Sequence, residues 1–318
     1  MISLAADFGG TRIKLGLVRD ACVIAQSIVP AQSDRHLTER LEAVATGFEK
    51  LCEQAGIALP ECDGVGFSYP SIINRRQARI LDHFGKFGDA SAIDLRGWSE
   101  KRLHLPLAID NDARMALIGE WRYGAGRGSD NCVIITLGTG IGVSAVIEGQ
   151  VLRGVHGQAG ILGGHITLRT DGGACVCGNV GCAELLASTS VIARLAREHP
   201  LFACSPLAML EVIDYAAIFR FASEGDACAI ALKNRSLDTW AALAVNMIHV
   251  FDPELIILGG GIMGSADEIL PFVRDYVSRH AHTPWGKVKV AASELGDRAA
   301  LLACEWLVHE DVEKAGLR

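Results

Sequence analysis

Two glycine-rich turns decide the fold of this chain: Asp7-Phe-Gly-Gly-Thr-Arg-Ile-Lys14 near its start and Thr136-Leu-Gly-Thr-Gly-Ile-Gly142 near its middle. Each turn joins two apolar segments that alternate like β-strands. Glycines allow backbone N–H groups to approach phosphate oxygens, and the threonine of each turn adds a hydroxyl donor. Gly-Gly turns are common in ordinary hairpins. Two such turns in the same context, however, predict a protein that holds a polyphosphate from two sides.

The two glycine turns do not match the standard nucleotide-binding motifs, in which a glycine turn leads directly into a helix. Neither turn is a Walker P-loop or a dinucleotide fingerprint, because no helix follows directly and the Lys-Ser/Thr ending is absent. A third run, Gly259-Gly-Gly261, follows a buried strand and suits either an adenosine close to the backbone or a plain helix entry. Asp7 is placed to hold magnesium, directly or through water. The residues expected to bind a nucleotide polyphosphate and magnesium are Asp7, Gly9, Gly10, Thr11, Lys14, Gly138, Thr139, Gly140, Gly259, Gly260 and Gly261.

The predicted elements repeat along the chain, since a three-strand meander opens each half. Helices are predicted where apolar residues recur three and four positions apart, and strands where they alternate or form short runs. The first half has predicted strands at 2–8, 13–18, 22–29, 63–68 and 105–110 and helices at 35–55 and 113–123. The second half has predicted strands at 132–137, 142–147, 150–152, 255–258 and 288–291 and helices at 183–199, 207–223, 226–251, 266–280 and 297–309.

Composition excludes several classes of protein. The 318 residues carry 30 Lys and Arg against 37 Asp and Glu, with neither sign in a long block. This balance argues against non-specific nucleic-acid binding, which needs a basic face. Half of the residues are hydrophobic, but the longest uncharged run, 131–147, is broken by Gly, Thr and Ser, so no membrane span is predicted. The first residues lack a signal peptide's basic region and cleavage site. We therefore expect a cytoplasmic protein without nucleic-acid or membrane partners.

The run Ile109-Asp-Asn-Asp112 ends a predicted strand and opens a helix. One of its polar residues is expected to cap the helix. Capping needs only one such residue, whereas this run supplies two carboxylates and an amide. A sugar hydroxyl needs that combination, because a base must take its proton and a polar group must fix the neighbouring hydroxyls.

A cluster of soft ligands is spaced as His165-x9-Cys175-x-Cys177-x4-Cys182. Three cysteines and one histidine form a standard closed zinc site, which has no open position for catalysis. A disulfide is the competing interpretation, but the expected reducing compartment and the fourth ligand favour structural zinc. Glu184 follows the last cysteine by two residues. It is either a hydroxyl-binding residue fixed by this loop or a first-turn acid favoured by the helix dipole.

Together these motifs resemble the ROK family of sugar kinases and sugar-responsive repressors, within the actin/hexokinase superfamily. The resemblance extends over essentially the whole chain and includes the stretch Gly119-Glu-Trp-Arg-Tyr-Gly-Ala-Gly-Arg-Gly128. It implies a two-lobed α/β, actin/hexokinase-like (ribonuclease H-like) fold with ATP and sugar in a central cleft, and commonly a homodimer. We expect a small lobe at 1–112, on which a closing helix at about 297–318 packs, and a large lobe at 113–296 with a zinc loop at 165–182.

The resemblance also assigns roles to residues. Asp112 would be the general base, Asn111 and Glu184 would bind sugar hydroxyls, and His165 would bind zinc and orient toward the sugar. Two stretches depart from the family pattern. Family kinases usually carry Glu-x-Gly-His, but Ala159-Gly-Ile-Leu-Gly-Gly-His165 puts Leu162 at the place of that glutamate and adds one residue. The stretch from Ser68 to Phe87 does not clearly match the family's Pro-Gly and sugar-contacting Asn.

The leading hypothesis is therefore an ATP-dependent kinase of a hexose, a hexose derivative or a cyclitol. The phosphate and base motifs are intact, whereas both departures lie at the end that binds the acceptor. The alternative is a non-catalytic or regulatory sugar-binding protein. Repressors of the family carry a helix-turn-helix domain ahead of the first glycine motif, and only six residues precede Asp7 here, which favours the kinase.

Overall fold

The computed structural model describes residues 1–82 and 85–314. The chain divides into two compact units. Unit 1 comprises Met1–Arg127, Arg153–Ala159 and Leu295–Arg318, and unit 2 comprises Gly128–Leu152 and Gly160–Glu294. His83, in the second stretch that departs from the family pattern, and the last four residues of the expected closing helix lie outside the described residues.

Unit 1 opens with three strands, and helices and further strands follow. Its elements before residue 128 are β1 (Ile2–Phe8), β2 (Arg12–Arg19), β3 (Cys22–Pro30), α1 (Leu37–Ala55), β4 (Gly64–Tyr69), β5 (Ile73–Asn74), β6 (Arg79–Ile80), α2 (Leu95–Arg102), β7 (Leu107–Asn111) and α3 (Asp112–Tyr123). Unit 2 contains β8 (Cys132–Leu137), β9 (Ile141–Ile147), β10 (Gln150–Val151), α4 (Ala183–Ala187), α5 (Thr189–Arg197), α6 (Tyr215–Ser223), α7 (Ala227–Phe251), β11 (Leu255–Gly259), α8 (Ala266–His280) and β12 (Lys289–Ala292). The chain then returns to unit 1 with α9 (Ala299–Lys314).

The two main sheets share one topology. The strand order is β3-β2-β1-β4-β7 in unit 1 and β10-β9-β8-β11-β12 in unit 2. In each sheet the first three strands form an antiparallel meander, and the remaining two strands run parallel to the first. The parallel strands β4, β7 and β11 are buried along their whole length and mostly apolar, as is usual for parallel sheets that helices cover. The repeated meander that the sequence predicts is thus a repeated sheet.

Helix α1 shows why the periodic segments fold as they do. Its buried side chains include Leu41, Val44, Phe48 and Leu51, which lie on one face and pack in the core of unit 1. The helix ends where Gly56 adopts a left-handed backbone with φ 65°, a conformation that glycine takes without strain.

The predicted lobe boundary after residue 112 differs from the unit boundaries. Helix α3 belongs to unit 1, because it packs along α9, where the rings of Trp121 and Trp306 lie 6.3 Å apart. The segment 153–159 also belongs to unit 1, although it follows β10 in the chain. Both assignments depend on long-range packing, for which the local sequence pattern carries no signal.

Two predicted helices are divided in the structure. The segment predicted at 183–199 is interrupted at Ser188, whose backbone is extended (φ −107°, ψ 162°). In the segment predicted at 207–223, α6 begins only at Tyr215, because the Asp214 side chain accepts a hydrogen bond from the Ala217 N–H at 2.8 Å and caps the helix there. Within residues 1–82 and 85–314, no helix has both the length and the apolar character needed to cross a membrane.

Candidate active site

In unit 1, the first glycine turn connects β1 to β2, and Asp7 lies at its edge. The Asp7 carboxylate accepts a hydrogen bond from the Ser68 hydroxyl at 2.7 Å and lies 3.5 Å from the Lys14 Nζ. Burial raises the pKa of Asp7, and Lys14 and Ser68 oppose this rise. Lys14 Nζ also lies 2.7 Å from a carboxylate oxygen of Asp297. The predicted ligand Lys14 is therefore held between two acids.

The turn itself leaves its tip open to solvent. The Gly9 N–H donates to the Arg12 carbonyl at 3.0 Å, and Ser33 Oγ donates to the Gly10 carbonyl at 2.7 Å. Gly10 and Thr11 are exposed. The backbone of this turn is thus fixed from behind, while its outer face remains accessible to a phosphate group.

The three polar residues at the end of β7 and the start of α3, Asp110, Asn111 and Asp112, make different contacts. Asp110 is buried and binds two arginines, Arg114 and Arg153. Asn111 caps α3, since its side-chain oxygen accepts from the Arg114 N–H at 3.2 Å. Its amide nitrogen donates to the Ser71 carbonyl and to Asp112 Oδ1, both at 3.0 Å. Asn111 therefore keeps only a side-chain oxygen lone pair for any sugar hydroxyl.

Asp112 is half-buried at the first position of α3. Its Oδ1 accepts from the Ala113 N–H at 2.9 Å as well as from Asn111. Burial raises the pKa of Asp112; the bond from Ala113 opposes this, and the carboxylate of Asp7 adds to the rise. A carboxylate whose pKa is raised toward neutrality is a better general base than a solvated one.

In unit 2, the second glycine turn connects β8 to β9. The Gly138 N–H donates to the Gly140 carbonyl at 3.0 Å, and the Gly138 and Thr139 carbonyls accept from the backbone N–H groups of Thr189 and Ser190, at 2.9 and 3.1 Å. The first turn of α5 therefore fixes this turn. Sequence reasoning did not single out these two hydroxyl residues, although both follow a serine at a helix start.

Glu184 contacts this second turn directly. Its Oε2 accepts from the Ile141 N–H at 2.9 Å, and a Cβ added to Gly140 would lie 2.4 Å from the same oxygen. The acid is thus more than a favourable charge in the first turn of α4. Its other oxygen has no bond in this contact and is the atom that a ligand hydroxyl could reach.

The loop before His165 packs closely on β9. A Cβ at Gly164 would lie 1.9 Å from the Ile141 carbonyl oxygen, so only glycine fits there. The His165 N–H donates to the Leu162 carbonyl at 2.9 Å, and Leu162 is half-buried. Glycine at position 164 therefore permits a close backbone contact between this loop and β9.

The predicted metal ligands converge in unit 2. The donor atoms of His165, Cys175, Cys177 and Cys182 all lie within 4.8 Å of one another. His165 Nδ1 is 3.5 Å from the Cys175 sulfur, and the sulfurs of Cys177 and Cys182 are 3.8 Å apart. Asn179, which sequence reasoning passed over, donates to the His165 carbonyl at 2.9 Å. One imidazole and three thiols at this spacing match the donor chemistry of a four-coordinate zinc site.

The third glycine run follows β11 and enters a 3₁₀ turn at Gly261. Gly260 has φ +91°, and a Cβ there would lie 2.3 Å from the Leu137 carbonyl oxygen at the end of β8. By contrast, a Cβ at Gly261 would meet open space. The backbone therefore requires glycine at position 260 but not at position 261, and both residues are exposed.

Comparison with known proteins gives consistent relatives. The model of the ROK family matches residues 3–311. The glucokinase of Thermotoga maritima is 30% identical over 321 residues, covering 97% of this chain and 98% of that protein. The crystal structure of a ROK family glucokinase from Streptomyces griseus, in complex with glucose and AMPPNP, is 27% identical with a TM-score of 0.82, covering 97% and 100% of the two chains. The xylose repressor of Bacillus subtilis is 28% identical, but the match covers 77% of this chain and 60% of the repressor.

Proposed function

Because this chain belongs to the ROK family, we propose that it is an ATP-dependent kinase that phosphorylates a hydroxyl group of a hexose, a hexose derivative or a cyclitol. The observation that carries the proposal is Asp112, a half-buried carboxylate with a raised pKa at the start of α3. Glucokinase relatives that match nearly the full length of the chain support this class of reaction over the regulatory alternative.

The proposed chemistry is an in-line transfer with little covalent work for the protein. The acceptor hydroxyl gives its proton to the free oxygen of Asp112, and its oxygen attacks the γ-phosphorus of ATP, releasing ADP. Asn111 holds Asp112 by its amide N–H, so the carboxylate is oriented before the sugar binds. Asn111, His165 and Glu184 are the proposed sugar ligands.

The nucleotide is proposed to lie along the glycine turns. Backbone N–H groups of Gly9, Gly10, Thr11, Gly138, Thr139 and Gly140 would face the phosphates, with Gly259, Gly260 and Gly261 beside the adenosine. Magnesium would supply charge neutralisation at the phosphates when bound, and Asp7 would hold it. Lys14 could then exchange its contact with Asp297 for a phosphate oxygen, since Asp297 is mostly exposed.

The cluster of His165, Cys175, Cys177 and Cys182 is proposed to hold one structural zinc ion. A bound zinc would fix the 165–182 loop and with it the start of α4, which carries Glu184. We further propose a cytoplasmic homodimer that binds neither nucleic acid nor membranes, as is common for the kinases of this family.

The test is a coupled ADP-release assay with ATP and magnesium across hexoses, N-acetylated and deoxy sugars and cyclitols. Sugar-dependent ADP release is expected with at least one acceptor. A thermal-shift screen of the same compounds separates the alternatives: stabilisation by a sugar without ADP release would support the regulatory protein instead.

A further inference from the structure

Asp110 lies at the centre of a buried ion cluster that the proposed chemistry does not use. Its side chain is 1% exposed. One oxygen accepts from Arg114 Nη1 and from the Asn111 N–H, and the other accepts from Arg153 Nε at 3.0 Å. Burial alone would raise the pKa of Asp110, but the guanidinium groups of Arg114 and Arg153 lower it. The group is therefore an ionised carboxylate shared by two arginines.

The same arginines fasten the 153–159 segment to unit 1. Arg114 Nη2 donates to the carbonyls of Gly157 and Ala159, at 3.0 and 3.3 Å. The Ala159 N–H in turn donates to the Arg153 carbonyl at 3.1 Å, which closes the segment into a loop. Both ends of the segment are thus tied to the carboxyl end of β7. In the chain, Leu162 follows Ala159 by three residues.

The cluster continues to α9 through alternating charges. Arg153 Nη2 lies 3.5 Å from Glu310, Glu310 lies 2.6 Å from Arg75, and Arg75 reaches Asp311. Asp110 and Arg114 are buried and the outer members of the cluster are half-buried. Ion pairs that are withdrawn from water add little net stability, because desolvation offsets the attraction, and their best-attested use is to fix one arrangement. What this cluster fixes is the end of β7, where the proposed base and sugar ligand follow Asp110 directly.

We propose that Arg153 is a positioning residue for the sugar site, acting through Asp110 on Asn111 and Asp112. The inference rests on the proposed function. Without Arg153, Asp110 keeps Arg114 but is no longer held from its second side. The start of the segment then loses its bond to Asp110, and the carboxylate that accepts from the Asn111 N–H is held by one arginine instead of two. A displacement of about 1 Å at a reacting group can lower a rate about 100-fold.

The experiment compares Arg153→Met with Arg102→Met in the full-length enzyme. Arg102 is a matched control in unit 1, since it also bridges two carboxylates, Glu42 at 3.1 Å and Glu49 at 2.6 Å, and lies outside the proposed site. For Arg153→Met, we expect kcat/KM for the sugar to fall about 10- to 100-fold, with KM for ATP within about twofold of wild type. Arg102→Met should change neither constant. Arg153→Lys should recover part of the loss and serves as the test variant if the Met variant does not fold.

The outcomes separate the two proposals. A wild type that releases no ADP with any acceptor overturns the proposed function and this inference together. An active wild type whose Arg153 variants resemble Arg102→Met overturns the inference alone. Equal losses for the sugar and ATP constants would also overturn it, because they indicate general destabilisation rather than positioning of the sugar site.

Discussion

In unit 1, Asp7, Ser68 and Asp110 are direct neighbours across the parallel strands β1, β4 and β7. In unit 2, the neighbours near the ends of β8 and β11 are Thr136 and Gly259. The two sheets share one strand order and differ in what their strands carry at this edge. Unit 1 has two carboxylates in this row, Asp7 and Asp110, whereas unit 2 has a threonine and a glycine. A repeated fold therefore fixes where a site lies, and a row of a few side chains decides its chemistry.

The largest effect should come from the carboxylate side of this comparison. Asp112→Asn should lower kcat by about 10²- to 10⁴-fold, the usual contribution of a positioned general base. The melting temperature should be equal or higher, because the variant removes a carboxylate whose charged form is disfavoured by burial and retains an acceptor for Ala113. Kinetics and thermal melts on the same preparation measure both quantities.

The pH profile provides the control for that experiment. The folded-state pKa of Asp112 is raised, so activity should be present above that pKa and lost as the pH falls through it, above the ordinary Asp value of about 3.9. Asp34→Asn, at an exposed acid, should keep both the rate and the profile. Near-normal turnover in folded Asp112→Asn would remove the residue from its proposed role.

On the other side of the comparison, unit 2 brings together the four ligands of the proposed zinc site. Purified wild type should contain about one zinc per chain, and Cys177→Ser should lose it. Sugar binding should weaken about 10- to 100-fold, the usual effect of disturbing groups that support a metal site, because His165 lies in the cluster and Glu184 follows it. Metal analysis and sugar titration measure these changes. Cys204→Ser, at an exposed cysteine outside the cluster, should retain zinc; a metal-free, fully active wild type would contradict the assignment.

Two neighbouring glycines of unit 2, Gly260 and Gly261, should differ in how much their substitution by alanine destabilises the protein. Gly260→Ala introduces a Cβ 2.3 Å from the Leu137 carbonyl oxygen at φ +91°. We expect the free energy of unfolding to fall by about 2–4 kcal/mol from strain and overpacking, with a higher KM for ATP. Gly261→Ala meets open space and should leave the free energy of unfolding within about 0.5 kcal/mol of wild type. Equal destabilisation by both changes would show that the close contact is not what requires glycine.

The elements of both sheets could be predicted because their apolar residues keep a regular period. Strand 132–137 and helix 266–280 coincide with β8 and α8. The contacts at Asp110 could not be predicted. Asp110 is in β7, Arg114 is in the following helix α3, and Arg153 reaches Asp110 from a segment 43 positions away. Such a pair depends on the path of the chain between units, which no local period encodes.

The smallest effect is expected at Leu162, which the resemblance places where family kinases usually carry a glutamate. With an apolar side chain in place of the family glutamate, glucose would bury a ring-end hydroxyl without its acceptor, at a cost of about 1–3 kcal/mol, or about 5- to 150-fold in affinity. We therefore predict that glucose is a poor acceptor, although the full-length relatives include glucokinases. A better acceptor would be less polar, differently configured or N-acetylated at the end that faces residue 162.

Steady-state kinetics on glucose, N-acetylmannosamine, allose, a deoxyhexose and a cyclitol rank the acceptors. Leu162→Glu should raise kcat/KM for glucose relative to the others, whereas the apolar control Leu162→Met should keep the wild-type order. If glucose already has the highest kcat/KM in wild type, another polar group of the 159–165 loop supplies the acceptor, and the interpretation of Leu162 is wrong.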